Sequence, residues 1–319
     1  MGQTTSKKGG RDQRLSTVNA NAAGIDVGSQ FHVVAVPGDR DEEAVRTFQS
    51  FTGDLHRLAE WLVACQISTV AMESTGVYWI PLYEVLAARG IAVVVANARD
   101  VKHVPGRKTD VNDAQWLQQL HAYGLLRGSF HPPADIATLR AYLRQRERLL
   151  DYAAAHIQHM QKALVQMNLQ LHHVVADITG KTGMRIIRAI LDGVRDPLTL
   201  ASYRDARCKA AAETIAQALA GNYLPEHLFA LRQAVALYDA YQHHVAECDQ
   251  HLEAVLARLC APEPPAHPLP APRHTTRQPN APSFDVRAAL YALLGVDLTQ
   301  IHGIGPALAL KLVSECGTD

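Results

Sequence analysis

At 319 residues, 48% of them apolar and only 6% aromatic, the chain is long enough for two or three domains with cores of their own. Its 31 Lys and Arg balance 31 Asp and Glu, which excludes a protein driven onto nucleic acid or an anionic surface by overall charge and leaves local patches for that purpose. No apolar run approaches the roughly 18–20 residues of a membrane span and no signal-peptide core opens the chain, so a cytoplasmic protein without membrane contact is expected.

The five cysteines (65, 208, 248, 260 and 316) follow no pairing pattern, which argues against a disulfide framework and a zinc site. Residues 1–20 carry Lys7, Lys8, Arg11 and Arg14 among Gly, Ser, Thr and Gln, and read as a disordered basic tail. From 21 to 132 the pattern is that of an α/β domain. Gly24-Ile25-Asp26-Val27-Gly28 leads into Phe31–Val36, which should pair back on the Ile25 strand, and Val45–Phe48 can add a third strand. Gly53–Ala64 reads as a helix with Leu55, Leu58 and Leu62 inward. Ile67–Met72 reads as a short buried strand, and Tyr78–Arg89 as a helix closed by Gly90. Ile91–Ala96, continuous and β-branched, has the signature of a parallel inner strand. Antiparallel strands followed by strand–helix–strand units give a mixed sheet with helices on both faces. Asp26 lies within one predicted strand and Glu73 at the end of another, where an unpaired carboxylate is costly and usually has a function. Sites in such sheets form beyond strand ends, which is where Glu73 falls.

Between Arg99 and Arg148 nine Lys/Arg stand against five Asp/Glu, a local basic excess. Within it, the stretch from Gly106 to Leu117 reads as the start of a helix after Pro105, with Thr109 or Asp110 as cap. Asp110 and Asp113 then fall one turn apart on one face and repel each other. The helix's positive end, or a divalent cation, turns that repulsion into attraction. Arg107 and Lys108 stand beside these acids, where they would neutralise phosphates.

Residues 133–260 read as a helical coiled-coil region. Pro132-Pro133 stops the preceding segment, and Asp135 is expected to cap a helix whose apolar seam runs from Ile136 to Val174 at spacings of three and four, interrupted by Arg146. A second seam runs from Leu228 to Leu259. The two can pair with each other, antiparallel, or with copies in another subunit. Shorter helices are expected over Met184–Leu191 and from Asp205 to Ala220. His156-x-x-His159 and His243-His244 lack the acid or cysteine that would complete a metal site. Gly180-Lys181-Thr182 looks like the tail of a phosphate-binding loop, but no glycine stands five residues before it and no strand precedes it, so it reads as a turn between helices. Residues 261–283 form a stiff Pro-rich linker. In 284–319 a helical segment, Phe284–Leu294, is followed by Ile301-His302-Gly303-Ile304-Gly305-Pro306, similar to a helix-hairpin-helix turn. There the amides at Gly303 and Gly305 can hold a nucleic-acid phosphate; the alternative is a tight turn between packed helices.

The order of acids (Asp on a first strand, Glu ending a later one, Asp-x-x-Asp opening a helix) resembles the DEDD transposases of the insertion sequence 110 family, whose N-terminal domain is RuvC-like with a ribonuclease H fold. The likeness is carried by Gly-Ile-Asp-Val-Gly at 24–28, Met-Glu-Ser-Thr-Gly-Val-Tyr-Trp at 72–79 and Lys-Thr-Asp-Val-Asn-Asp-Ala at 108–114. It implies that Asp26, Glu73, Asp110 and Asp113 are catalytic metal ligands for Mg²⁺ or Mn²⁺, with two ions straddling a phosphodiester. It further implies a recombinase that moves its own element, acts on DNA, is guided by a structured element-encoded RNA, and works as a homo-oligomer, dimer or tetramer, joined partly through the coiled coil. The family's nucleophilic serine lies well downstream of the Gly-x-Gly turn. Ser314 sits in the helix just after that turn, so no nucleophile is assigned within this chain, which reads as cut short at its C-terminal end. Two rivals follow: a Holliday-junction type of structure-selective endonuclease using the same acids without a guide, and a catalytically incomplete remnant that binds nucleic acid and oligomerises.

Overall fold

Five strands form one sheet in the order β3-β2-β1-β4-β5: β1 (Ala22–Val27), β2 (Phe31–Ala35), β3 (Val45–Gln49), β4 (Thr69–Glu73) and β5 (Ala92–Ala96). They belong to a computed structural model that describes residues 16–74, 76–97, 112–260, 265, 267–273 and 280–318. β1, β2 and β3 form an antiparallel meander, with Val27 opposite His32 and Phe31 opposite Gln49, whereas β4 joins β1 in parallel and β5 joins β4 in parallel. This is the mixed sheet with helices on both faces that the pattern of elements implies, and it is consistent with the ribonuclease H/RuvC-like α/β fold that the resemblance implies.

The two faces of the sheet are built differently. Ala23, Ile25, Val27, Val34, Val70 and Met72 pack beneath α1 (Thr52–Ala64) and α2 (Trp79–Ala87). Leu58, Leu62, Leu82 and Leu86 are fully buried there, each contributing about 1.5–3 kcal/mol of burial. The opposite face alternates to small residues, Ala22, Gly24, Ala71 and Ala96, and takes α3 (Asp113–Ala122), whose Trp116, Leu117 and Leu120 cluster with Ala96. β5 is an edge strand rather than the inner strand its β-branched run suggests. Among the described residues the sheet is extended beyond it only by a single antiparallel bridge from Ala96 to Gly128, so Val93 and Val94 stay half-buried.

The chain divides into two compact units between His131 and Pro132. The second is helical: α4 (Ala134–Gln166), α5 (Leu171–Val174), α6 (Lys181–Leu191), α7 (Pro197–Ser202), α8 (Ala212–Ala218), α9 (Pro225–Leu259), α10 (Val286–Leu294) and α11 (Pro306–Cys316). The two long helices α4 and α9 pack antiparallel within the chain. Ile136, Leu139 and Leu143 cluster with Leu252, Val255 and Leu256 at one end, Leu149 with Val245 and Cys248 midway, and Met160 and Leu164 with Leu231, Ala234 and Val235 at the other. Arg146, the break in the first seam, is buried against Asp249 of the second, and its Nη2 donates to the carbonyl of Asn280 at 2.9 Å. The other Asp249 oxygen accepts from the Ser283 amide at 2.9 Å.

Several expected boundaries move. The first seam does not run unbroken to Val174: α4 ends at Gln166, and Asn168 turns into the left-handed region at φ 53°, which sets Leu171 and Val174 on α5. Pro133 occupies the N-cap of α4; Asp135 stands in its first turn and pairs with Arg258 at 3.0 Å instead of capping. The helix expected from Asp205 begins at Ala212, because the Asp205 carboxylate folds its own segment into a turn by accepting from the Arg207 amide. The Pro-rich stretch is docked over 267–273: Pro270 accepts from Arg287, Ala271 from Gln300, and Arg273 donates to the Gln300 carbonyl. Among the described residues no helix is long and apolar enough to cross a membrane.

Candidate active site

Gly24 fixes the geometry of the first unit's site. A Cβ there would stand 2.2 Å from the Gln118 amide nitrogen and 2.3 Å from the Ala114 carbonyl, so α3 lies directly on the β1 backbone and only glycine admits it. α3 runs with Ala114 and Gln118 over Gly24, Gln118 Nε2 donating to the Ala22 carbonyl at 3.3 Å, and His121 Nε2 against Thr69 Oγ1 at 2.8 Å. Its N-terminus therefore points to the carboxyl ends of the parallel strands β1 and β4. Asn112 begins it: the side chain accepts from the Gln115 amide and the Gln115 side chain returns to the Asn112 amide, a capping box.

Asp26 lies on the α3 side of β1, two residues beyond Gly24, and is half-buried. The register pairs Ile25 with Met72, so one step on Glu73 comes beside Asp26 on the neighbouring strand and the same sheet face. Asp113 is the first residue of α3. Burial raises the Asp26 pKa above the ordinary carboxylate range, and the negative charge of Asp113 raises it further. A half-buried carboxylate at a strand end whose ionisation is opposed by burial and by a neighbouring negative charge would be stabilised in its charged form by a hard cation.

Of the expected site residues, Asp26, Glu73 and Asp113 thus come to one edge of the sheet. Asp110, Arg107 and Lys108 lie outside the described residues. α3 starts at Asp113, and its cap is Asn112, in an extended conformation, where the sequence suggests Thr109 or Asp110. Among the described residues no three His, Cys, Asp or Glu side chains gather closely enough to hold a metal ion. The bracing residues Gln118, His121 and Thr69 had no signature in the sequence. The Asn112-x-x-Gln115 cap did have one, the spacing of a capping box.

In the second unit, Gly303 takes a φ of 86° and Gly305 stands at the N-cap of α11 with Pro306 behind it. The turn borders a cavity of about 400 Å³ also lined by Arg273 and Arg287; the Arg287 guanidinium is held by Asp297 at 2.6 Å. Ser314 is fully buried, its Oγ donating to the Lys311 carbonyl at 2.9 Å, which is the geometry of a helix-interior serine and not of a nucleophile. Gly180-Lys181-Thr182 opens α6, with Lys181 paired to Asp205 at 2.9 Å and the Thr182 hydroxyl accepting from the Asp205 amide.

Compared with known families, residues 23–169 match the model of the insertion sequence 110 DEDD family, described as Transposase. No curated protein matches the chain. A transposase acts on DNA, and the chemistry of DEDD transposases depends in general on divalent metal.

Proposed function

Residues 23–169 being a DEDD transposase domain of the insertion sequence 110 family, we propose that this transposase cleaves and exchanges DNA strands with Asp26, Glu73, Asp110 and Asp113 as its metal-binding carboxylates. The observation that carries the reading is the register that sets Asp26 beside Glu73 on the sheet face where α3 opens at Asp113, and the Asp113 charge adds to burial in raising the pKa of its neighbour Asp26. That pair is electrostatically unfavourable by itself and becomes favourable around Mg²⁺ or Mn²⁺. When bound, a pair of such ions supplies Lewis-acid activation of the attacking oxygen and neutralises the leaving one. Asp26 and Glu73, fixed on adjacent strands, orient the phosphodiester's reacting edge. Asp113, on the rigid first turn of α3, closes the set from the opposite side, with Asp110 supplied by the segment just before it. Arg107 and Lys108 bind flanking phosphates, and the Gly303–Gly305 turn grips the backbone elsewhere on the substrate.

The resemblance adds a structured guide RNA and an oligomeric assembly to this reading. Ser314 lies in the helix directly after the Gly303–Gly305 turn, not well downstream of it as the resemblance implies for the nucleophile, and its hydroxyl is committed inside α11, so Ser314 is not given that role. The test is strand cleavage of element-end DNA in Mg²⁺ by the wild-type chain and by Asp26→Asn, Glu73→Gln, Asp110→Asn and Asp113→Asn. Each substitution should lower cleavage at least 100-fold, in keeping with a metal site that depends on every ligand. Undiminished cleavage by any of the four removes that residue from the site. Sequencing of RNA that copurifies with the chain tests the guide: one structured species supports it, and bulk nucleic acid alone refutes it.

A further inference from the structure

Three aromatic and two aliphatic side chains stand out of the sheet edge that carries the carboxylates. β2 and β3 run antiparallel to their neighbours, so the start of β2 and the end of β3 meet the carboxyl end of β1: the Gly28 amide donates to the Phe31 carbonyl and the Ser50 amide to the Gln30 carbonyl. Phe31 and Phe51 are set there at 52% and 71% exposure. Phe31 shares a sheet face with Val33, the cross-strand partner of Asp26. On the other flank, the turn after Glu73 puts Val77, Tyr78 and Ile80 at 67%, 46% and 40% exposure at the start of α2. The Tyr78 ring lies beside Gly76, where an added Cβ would stand 3.4 Å from its Cε2. Folding gains nothing from leaving five large apolar side chains in water at one edge.

We propose that Phe31, Phe51 and Tyr78 are a stacking platform for unpaired DNA bases that flank the scissile phosphate, so that the site works on a strand whose bases are unstacked from the duplex. This rests on the reading of the carboxylates given above. The platform is continuous with the carboxylate edge, and the substrate of that edge is DNA, a polymer whose bases offer flat apolar faces and whose phosphates would lie toward the acids and their cations. Rings on both flanks of a charged centre fit a strand with its backbone over the metal-binding groups and its bases turned aside. Val77 and Ile80 complete the apolar wall on the Tyr78 flank.

The experiment uses the full chain in EDTA, so that no cleavage occurs, and a fluorescein-labelled duplex carrying a short unpaired bubble beside the same duplex fully paired. The wild-type chain should bind the bubble more tightly. Tyr78→Ala and Phe51→Ala should each weaken bubble binding about 5- to 150-fold, the range for loss of one base–aromatic stack, and leave duplex binding unchanged, whereas Tyr78→Phe, which keeps the ring, should bind as wild type. Equal affinity of wild type for both duplexes, or alanine variants that keep the preference, overturns the proposal. So does a fall from dimer to monomer in sedimentation on Phe51→Ala, which would mark the rim as a contact between copies. Thermal melting checks that the exposed substitutions leave the fold intact. Metal-dependent cleavage by the wild-type chain is scored separately and tests the carboxylates alone.

Discussion

At Asp26 the electrostatics make a prediction with a definite sign. Its folded pKa is raised by burial and by Asp113, so between the ordinary carboxylate pKa and the raised one the folded chain binds more protons than the unfolded chain. Stability in the absence of metal must then fall as pH rises through that window. Asp26→Asn removes the titration, and at neutral pH in EDTA this variant should melt above the wild type; adding Mg²⁺ should raise the wild-type Tm and leave the variant's unmoved. A wild-type Tm that rises with pH through the window would contradict the assignment. Gly24 offers a second test. The contacts a Cβ would make with α3 backbone leave nowhere for it to go, so Gly24→Ala should cost about 1–3 kcal/mol in urea unfolding and lower cleavage by displacing Asp113 from Asp26. At this scale Asp26 and Glu73 stood out in the sequence because charge within or at the end of an apolar run is conspicuous. The value of Gly24 was not, because closeness between β1 and a helix some ninety residues later leaves no local mark.

Among the elements, the α4–α9 pair turns an apparent defect into a device. Arg146 breaks one seam and Asp249 the other, and antiparallel packing brings the two together with the Asn280 carbonyl and Ser283 amide as further partners. Removing one member strands the other in a buried site. Asp249→Asn should therefore lose about 3–5 kcal/mol by chemical denaturation, and Arg146→Met combined with Asp249→Leu should lose much less, since no unpaired charge remains. The double variant then reports whether the pair sets register rather than stability: a shift in helix register would free the 280–283 segment for proteolysis. For α3, Asn112→Ala removes the side-chain half of the capping box and should cost about 1 kcal/mol. The heptad spacing revealed both long helices, and the cap spacing was present in Asn112-x-x-Gln115. Pairing within the chain was beyond the reach of the sequence because an apolar seam fits any complementary seam equally well.

Across the molecule, the apolar clusters of the sheet and of the helices are separate and fall in different units. Unfolding should accordingly show two calorimetric transitions, one shifted by Asp26→Asn and the other by Asp249→Asn; a single transition moved by both would show one cooperative core. The sequence by itself determined the α/β character of the first unit, the two long helices of the second, the order of the acids and, through linked motifs, the likeness to DEDD transposases that the family model matches over residues 23–169. These follow from periodicity and residue type, which are properties of short stretches. Tertiary structure alone decided that β5 is an edge, that the two seams close on each other, that Arg146 finds Asp249, and that α3 begins at Asp113 and lies on Gly24 so that Asp113 reaches Asp26. Each depends on which distant backbone comes near, and that is set by the packing of whole faces rather than by any local pattern.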